Sequence, residues 1–151
     1  MIRIEDAASP ESLPILGELF LEFGALPDVI ISREEVAGLP GEYARPSGAL
    51  LVALDGRAGA GCVALRKLDD RTCEIKRLYV RPKYRGRSVG RGLVTDIIAR
   101  AQKLGYARMR LDTRPSMQNA IALYRSLGFR EIPAYMSKPV PGALFFELEL
   151  R

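Results

Sequence analysis

Residues 74–93 read Glu-Ile-Lys-Arg-Leu-Tyr-Val-Arg-Pro-Lys-Tyr-Arg-Gly-Arg-Ser-Val-Gly-Arg-Gly-Leu. The first seven complete a β-prone run that begins near Thr72, Pro82 and Gly86 break it, and Leu93 opens a helical repeat of apolar residues. Between strand and helix lies a loop of glycines and arginines. Glycine lets a backbone approach a bound anion closely, and the N–H groups at a helix N-terminus point at it. The helix dipole and the arginine side chains add positive potential. The loop reads as a phosphate cradle. No Gly-Lys-Ser/Thr follows it, so it is not a Walker loop, and its glycine spacing is not that of a dinucleotide fold. Alternation in the preceding strand fails at Lys76-Arg77, which predicts a bulge that splays the strand to admit a ligand.

Charge singles out the same segment. The chain of 151 residues carries 23 Lys+Arg against 18 Asp+Glu. Between Lys76 and Arg91 there are seven basic residues and no acid, so this segment supplies the whole positive excess. That pattern suits a local anion site better than a generally basic surface. The chain contains no histidine, which excludes a Ser-His-Asp or Cys-His nucleophile, a histidine base and a His-ligated zinc. Two cysteines, Cys62 and Cys73, make neither a disulfide framework nor a four-cysteine zinc site. They read as core thiols in a reducing cytoplasm, and no metal is expected. The opening residues lack the apolar core of a signal peptide, and Ala49–Leu54 is far short of the ~20 residues that span a bilayer.

Working outward, the N-terminal half alternates into strands at Met1–Glu5, Ala49–Leu54, Ala60–Leu68 and Thr72–Val80, with a hairpin at Asp55-Gly56. A helix is expected from Ser9 or Ser12 to about Phe23, and a second short one from Ser32. After the cradle come a helix closed by Gly105, a strand at Ala107–Thr113, a helix from Pro115-Ser116 closed by Gly128, and strands at Phe129–Ile132 and Ala143–Leu150. The expectation is one α/β (α+β) domain over residues 1–151, antiparallel in front and β-α-β-α-β behind.

The cradle segment resembles the acetyl-CoA-binding motif of the GNAT superfamily of N-acetyltransferases, Arg/Gln-x-x-Gly-x-Gly/Ala. Residues 117–129, Met-Gln-Asn-Ala-Ile-Ala-Leu-Tyr-Arg-Ser-Leu-Gly-Phe, resemble the family's Asn-x-x-Ala-x-x-x-Tyr-x-x-x-Gly-Phe pattern, with Ala120, Tyr124, Gly128 and Phe129 in register. The likeness is specific from Thr72 to Ile132 and weak over the first 45 residues. It implies a GNAT fold, a central mixed sheet of about six to seven strands flanked by about four helices. Two departures stand out. With Arg85 first in the motif, Ser88 holds the middle glycine position and Gly90 the last; the register Arg87-x-x-Gly90-x-Gly92 satisfies the letters but moves the loop two residues towards the helix. Met117 stands at the motif asparagine, with Asn119 two residues late.

The resemblance also implies roles. The backbone of Leu78, Tyr79 and Val80 would hold the pantetheine arm and acetyl carbonyl. Arg85, Gly86, Arg87, Ser88, Val89, Gly90 and Arg91 would wrap the pyrophosphate, and Asn119 would either touch the cofactor or serve the first helical turn. Glu74, 11 residues before Arg85, matches a catalytic glutamate that accepts the amine proton, against a plain reading as an ion-paired strand residue. Tyr124 matches the tyrosine that protonates the departing thiolate, against a packed core tyrosine.

The function implied is N-acetyl transfer from acetyl-CoA to a primary amine of a small molecule or peptide, by direct transfer in a ternary complex. A non-catalytic acyl-CoA-binding regulatory domain on the same fold is the alternative. Nucleic acid is disfavoured, since only Tyr79 and Tyr84 interleave with the basic residues. No membrane partner is expected, and a homodimer is left open. The acceptor would be set by residues 13–43 and 133–141, where Glu18, Glu22, Asp28, Glu34, Glu35 and Glu42 read as a solvated face or as an attraction for a cationic amine.

Overall fold

Ala49-Leu-Leu-Val-Ala-Leu54 is apolar at every position, as a strand covered on both faces must be. The computed structural model, which describes residues 1–150, places this strand inside a seven-stranded sheet. The strands are β1 (Ile2–Asp6), β2 (Ala49–Asp55), β3 (Ala58–Lys67), β4 (Thr72–Val80), β5 (Arg108–Thr113), β6 (Arg130–Ile132) and β7 (Leu144–Glu149), in the order β1-β2-β3-β4-β5-β7-β6. Only β4 and β5 run parallel, so the sheet is mixed. The helices are α1 (Leu13–Gly24), α2 (Arg33–Ala37), α3 (Val89–Lys103) and α4 (Gln118–Ser126). Alternate residues of β2 feed two cores. Ala49, Leu51 and Ala53 join Leu93, Val94 and Ile97 of α3, while Leu50, Val52 and Leu54 join Leu16, Leu19 and Phe20 of α1.

The departures from expectation lie at element ends. α1 begins at Leu13 with Pro14 in its first turn, where a missing N–H is harmless. α4 begins at Gln118 rather than at Pro115-Ser116, because Met117 has ψ 56° and the Ser116 hydroxyl is turned to Asp28. Two 3-10 turns, Gly41–Tyr43 and Pro82–Tyr84, had no periodic signal to announce them.

The bulge at Lys76-Arg77 is present. Tyr79 pairs with Cys62 and Lys76 with Ala64, leaving Arg77 and Leu78 opposite Val63 alone, with Arg77 at φ 61°. Gly61 makes the tight turn of strand possible, since a Cβ there would sit 2.6 Å from the Tyr79 carbonyl oxygen. Pairing between β4 and β5 covers only Thr72–Glu74 against Arg108–Arg110. Beyond it the two parallel strands diverge, and the β5-facing edge of β4 from Ile75 to Val80 has no strand partner. The sheet is split from one end.

Candidate active site

The split opens a cleft of about 220 Å³. Ile75, Lys76, Arg77 and Leu78 of β4 form one wall, Asp112, Thr113 and Arg114 at the end of β5 the other, and Met117, Ala120 and Tyr124 of α4 the floor. Phe23, Val29, Ile30 and Val140 close the side towards α1 and the β6–β7 loop.

At the far end of β4 the chain turns into the glycine–arginine loop. Gly86 has φ 77°, and Ser88, the residue that precedes α3, has φ 62° and ψ 18°. Gly92 donates back to the Ser88 carbonyl. Among the described residues, the backbone N–H groups from residue 86 to residue 91 find no protein acceptor, and they gather at the N-terminus of a 15-residue helix. This donor set fits a diphosphate. The flanking arginines are variously engaged: Arg85 Nε donates to the Val80 carbonyl at 3.1 Å, Arg87 lies over the Tyr84 ring, and Arg91 donates to the Ser126 hydroxyl at 2.8 Å.

Tyr124 is buried against Phe129, with ring centroids 5.5 Å apart, and its hydroxyl has no hydrogen-bond partner among the described residues. Burial, and then the nearby Asp112 carboxylate, raise its pKa well above the ordinary phenol range. A phenol so placed keeps its proton until a strong base forms beside it. Leu78 also lines the cleft. Tyr79 and Val80 lie outside the cleft lining, and the Tyr79 ring stacks on Phe23 at 5.3 Å on the α1 side of the sheet. Asn119 is exposed at the start of α4 and lies outside the cleft lining, whereas Met117 lies within it.

Glu74 is fully buried and outside the cleft lining. Its Oε1 accepts from Arg66 Nε at 2.6 Å, and its Oε2 accepts from the Tyr135 hydroxyl at 2.6 Å. Tyr135 comes from the proline-rich loop between β6 and β7 and lies under Arg110. Two carboxylates line the cleft itself, Asp28, which accepts from the Ser116 hydroxyl, and Asp112, which sequence reasoning passed over. The signal for Asp112 was positional: it lies one residue before the end of β5, the strand that precedes α4, and Arg114 follows that strand directly.

Three acids of the first half, Glu22, Glu35 and Glu42, are ion-paired. Glu22 pairs with Arg81 at 2.5 Å, Glu35 with Arg77 at 2.6 Å through two hydrogen bonds, and Glu42 with Arg66 at 3.0 Å. Each is paired with an arginine of the sheet, although the Glu22 and Glu42 side chains stay 41% and 59% exposed. Cys62 and Cys73 are buried, and burial pushes both thiols up to about 12. Among the described residues no group of three His, Cys, Asp or Glu could hold a metal ion, and no helix is long and apolar enough to cross a membrane.

Unbonded N–H groups at the N-terminus of α3, together with a strand-lined cleft that has a tyrosine on its floor, fit a phosphate-bearing ligand. A sequence model of the acetyltransferase (GNAT) family matches residues 20–129, and the chain belongs to that family. It is 41% identical over 119 residues, 78% of this chain and 73% of the relative, to an uncharacterized N-acetyltransferase of Schizosaccharomyces pombe. An acetyltransferase of the GNAT family from Staphylococcus aureus superposes over 100% of both chains, with TM-score 0.85 at 21% identity. A GNAT family acetyltransferase from Elizabethkingia anophelis, whose crystal structure has acetyl-CoA bound, superposes over 99% of this chain and 98% of that one, with TM-score 0.71 at 26% identity.

Proposed function

We propose that residues 1–151 act as a single cytoplasmic acetyltransferase domain that moves the acetyl group of acetyl-CoA to a primary amine of a small molecule or peptide within a ternary complex. The observation that carries this reading is Tyr124, a buried phenol with no protein partner on the floor of the cleft. A binding-only domain has no use for an unpartnered phenol there.

Acetyl-CoA supplies an acetyl group already activated as a thioester. The N–H groups of Gly86, Arg87, Ser88, Val89, Gly90 and Arg91 hold its pyrophosphate, and the open edge of β4 at Leu78, Tyr79 and Val80 holds the pantetheine arm and the thioester carbonyl. The amine nitrogen bonds to the acetyl carbon as the carbon–sulfur bond breaks. Tyr124 gives its proton to the departing sulfur. The proton lost by the amine goes to a carboxylate, either Asp112 in the cleft or Glu74 by way of the Tyr135 hydroxyl, and Tyr124 is reprotonated from the same cleft. Two raised thiol pKa values and the absence of histidine support direct transfer over an acetyl-cysteine route. Asn119 is left to the first turn of α4.

Screening amines and peptides by release of free thiol from acetyl-CoA tests the reading. Turnover with at least one amine, abolished by removal of CoA binding at the loop, is the expected result. Tight CoA binding with no turnover of any amine would favour the regulatory domain.

A further inference from the structure

Among the described residues, Lys76 is the cleft-lining cation without a hydrogen bond. Its side chain is only 20% exposed, and its nearest anions, Glu74 Oε1 and Asp112 Oδ1, both stand 4.0 Å from Nζ. Both carboxylates are better engaged elsewhere: Glu74 by Arg66 at 2.6 Å, Asp112 by Arg114 at 3.1 Å. A half-desolvated ammonium with three donors and no acceptor in reach is costly to keep unless a ligand supplies the acceptor. The phosphate cradle is not that ligand's place, because Lys76 lies four residues before Val80, roughly 13 Å back along the strand.

The arrangement around Lys76 is specific. Asp112 sits between Lys76 and Arg114, all three line the cleft, and the trio carries one net positive charge. A carboxylate flanked by two cations is the electrostatic complement of a zwitterion: the carboxylate faces an ammonium, and the cations face a carboxylate. The side of the cleft beyond the trio carries the apolar Val29, Ile30 and Val140, with Ile30 80% exposed, and one acid, Asp28, which is engaged by the Ser116 hydroxyl. The acids that would have welcomed a polycationic acceptor, Glu22, Glu35 and Glu42, are held by Arg81, Arg77 and Arg66.

We infer that the acceptor is a free α-amino acid with an apolar side chain, whose carboxylate binds Lys76 and Arg114, whose amine lies against Asp112, and whose side chain packs on Val29, Ile30 and Val140. This rests on the acetyl-transfer reading above. Asp112 takes one proton from the ammonium, freeing the nitrogen lone pair. The nitrogen bonds to the acetyl carbon as the carbon–sulfur bond breaks, and the sulfur leaves with the proton of Tyr124. The second proton lost by the nitrogen restores the Tyr124 phenol. The products are an N-acetyl amino acid and free CoA.

The test compares L-leucine, L-methionine and L-phenylalanine with their carboxamides and with pentapeptides bearing the same N-terminal residues, by thiol release at saturating acetyl-CoA. The free acids are expected to exceed the amides in kcat/KM by about 10²-fold, because the amide leaves Lys76 without its anion. Lys76→Gln brings the acid-to-amide ratio towards one, and Lys76→Arg keeps it well above one. The thermal shift given by CoA alone is recorded for each protein. No shift in the wild type overturns the acetyl-transfer reading itself. A normal shift with amides or peptides equal to or better than the acids, or with no acid turned over, overturns this inference and leaves that reading standing. The wild-type comparison decides even if Lys76→Gln does not fold.

Discussion

Among the described residues, two other than glycine hold a left-handed backbone, Arg77 at φ 61° in the cleft wall and Ser88 at φ 62° in the loop before α3. A side chain there costs about 1 kcal/mol relative to glycine, and such strain persists only where the surroundings hold it. Ser88 makes no side-chain capping bond, so nothing in its hydroxyl offsets the strain. Ser88→Gly is expected to raise stability by about 0.5–1 kcal/mol after the added chain entropy, read as a urea midpoint, and to leave CoA affinity unchanged or tighter. A loss of affinity would show that the hydroxyl itself binds phosphate. Tyr124→Phe keeps the ring against Phe129 and removes a hydroxyl without a protein partner, so stability should move by less than about 0.5 kcal/mol. Its kcat should fall about 10²-fold with CoA binding intact. A normal kcat would make Tyr124 a packing residue. Such roles were half legible in the sequence. The Ser88 position was visible because a glycine motif surrounds it, whereas the partners of Glu74 were not, since Arg66 and Tyr135 lie 8 and 61 residues away and no local pattern joins them.

Elements hold the split open from outside it. Arg77 forms two hydrogen bonds to Glu35 at 2.6 and 2.8 Å, tying the bulge of β4 to α2, a five-residue helix too short to stand on its own. Ser32 caps that helix by accepting from the Glu35 N–H, so cap and clamp share one residue. Glu35→Ala strands a guanidinium only 15% exposed and is expected to cost about 1–3 kcal/mol, with a raised KM for the acceptor as the bulge relaxes. A double-mutant cycle with Arg77→Met isolates the pair. On the other edge, Asp6 joins the end of β1 to Arg45 at 2.6 Å and to Arg100 of α3 at 2.8 Å. Against the opposing effect of burial, hydrogen bonds from Arg100, the Ala8 N–H and Arg45 lower its pKa to about 2. A folded pKa below the unfolded value means stability that is complete above about pH 5 and lost as pH falls from there through about 2. After solvent screening the loss is of order 1 kcal/mol. Asp6→Asn should remove that part of the acid transition, and an unchanged profile in Asp6→Asn would place the titrating group elsewhere. The strands and helices themselves were legible, because periods of 2 and 3.6 survive in the residue order. The bulge was legible too, as two adjacent polar residues. The 3-10 turns and the start of α4 depend on tertiary partners and were not.

At the scale of the whole molecule, the basic excess read from residues 76–91 is redistributed by folding. Arg77 and Arg81 are neutralised by Glu35 and Glu22, acids that the sequence offered as a solvated face or as an attraction for a cationic amine. Lys83, Arg85, Arg87 and Arg91 remain without a salt bridge among the described residues and surround the N-terminus of α3, so the positive field is focused on the cradle. A contact of exposed charges with a phosphate-rich ligand is screened within about 8–10 Å at physiological salt, so CoA affinity should fall by roughly tenfold between about 0.05 and 0.5 M ionic strength. Dephospho-CoA, with fewer charges, should show a shallower fall, and pantetheine almost none. Arg87→Ala removes a guanidinium that touches only the Tyr84 ring, so it should flatten the salt dependence with little effect on stability. Arg85→Ala should do the same and also free the Val80 carbonyl that Arg85 now occupies, which separates a field effect from a change in the strand edge. Isothermal titration at three salt concentrations decides. If all three ligands respond alike, the binding is not phosphate-led, and the loop's amides and arginines serve some other anion.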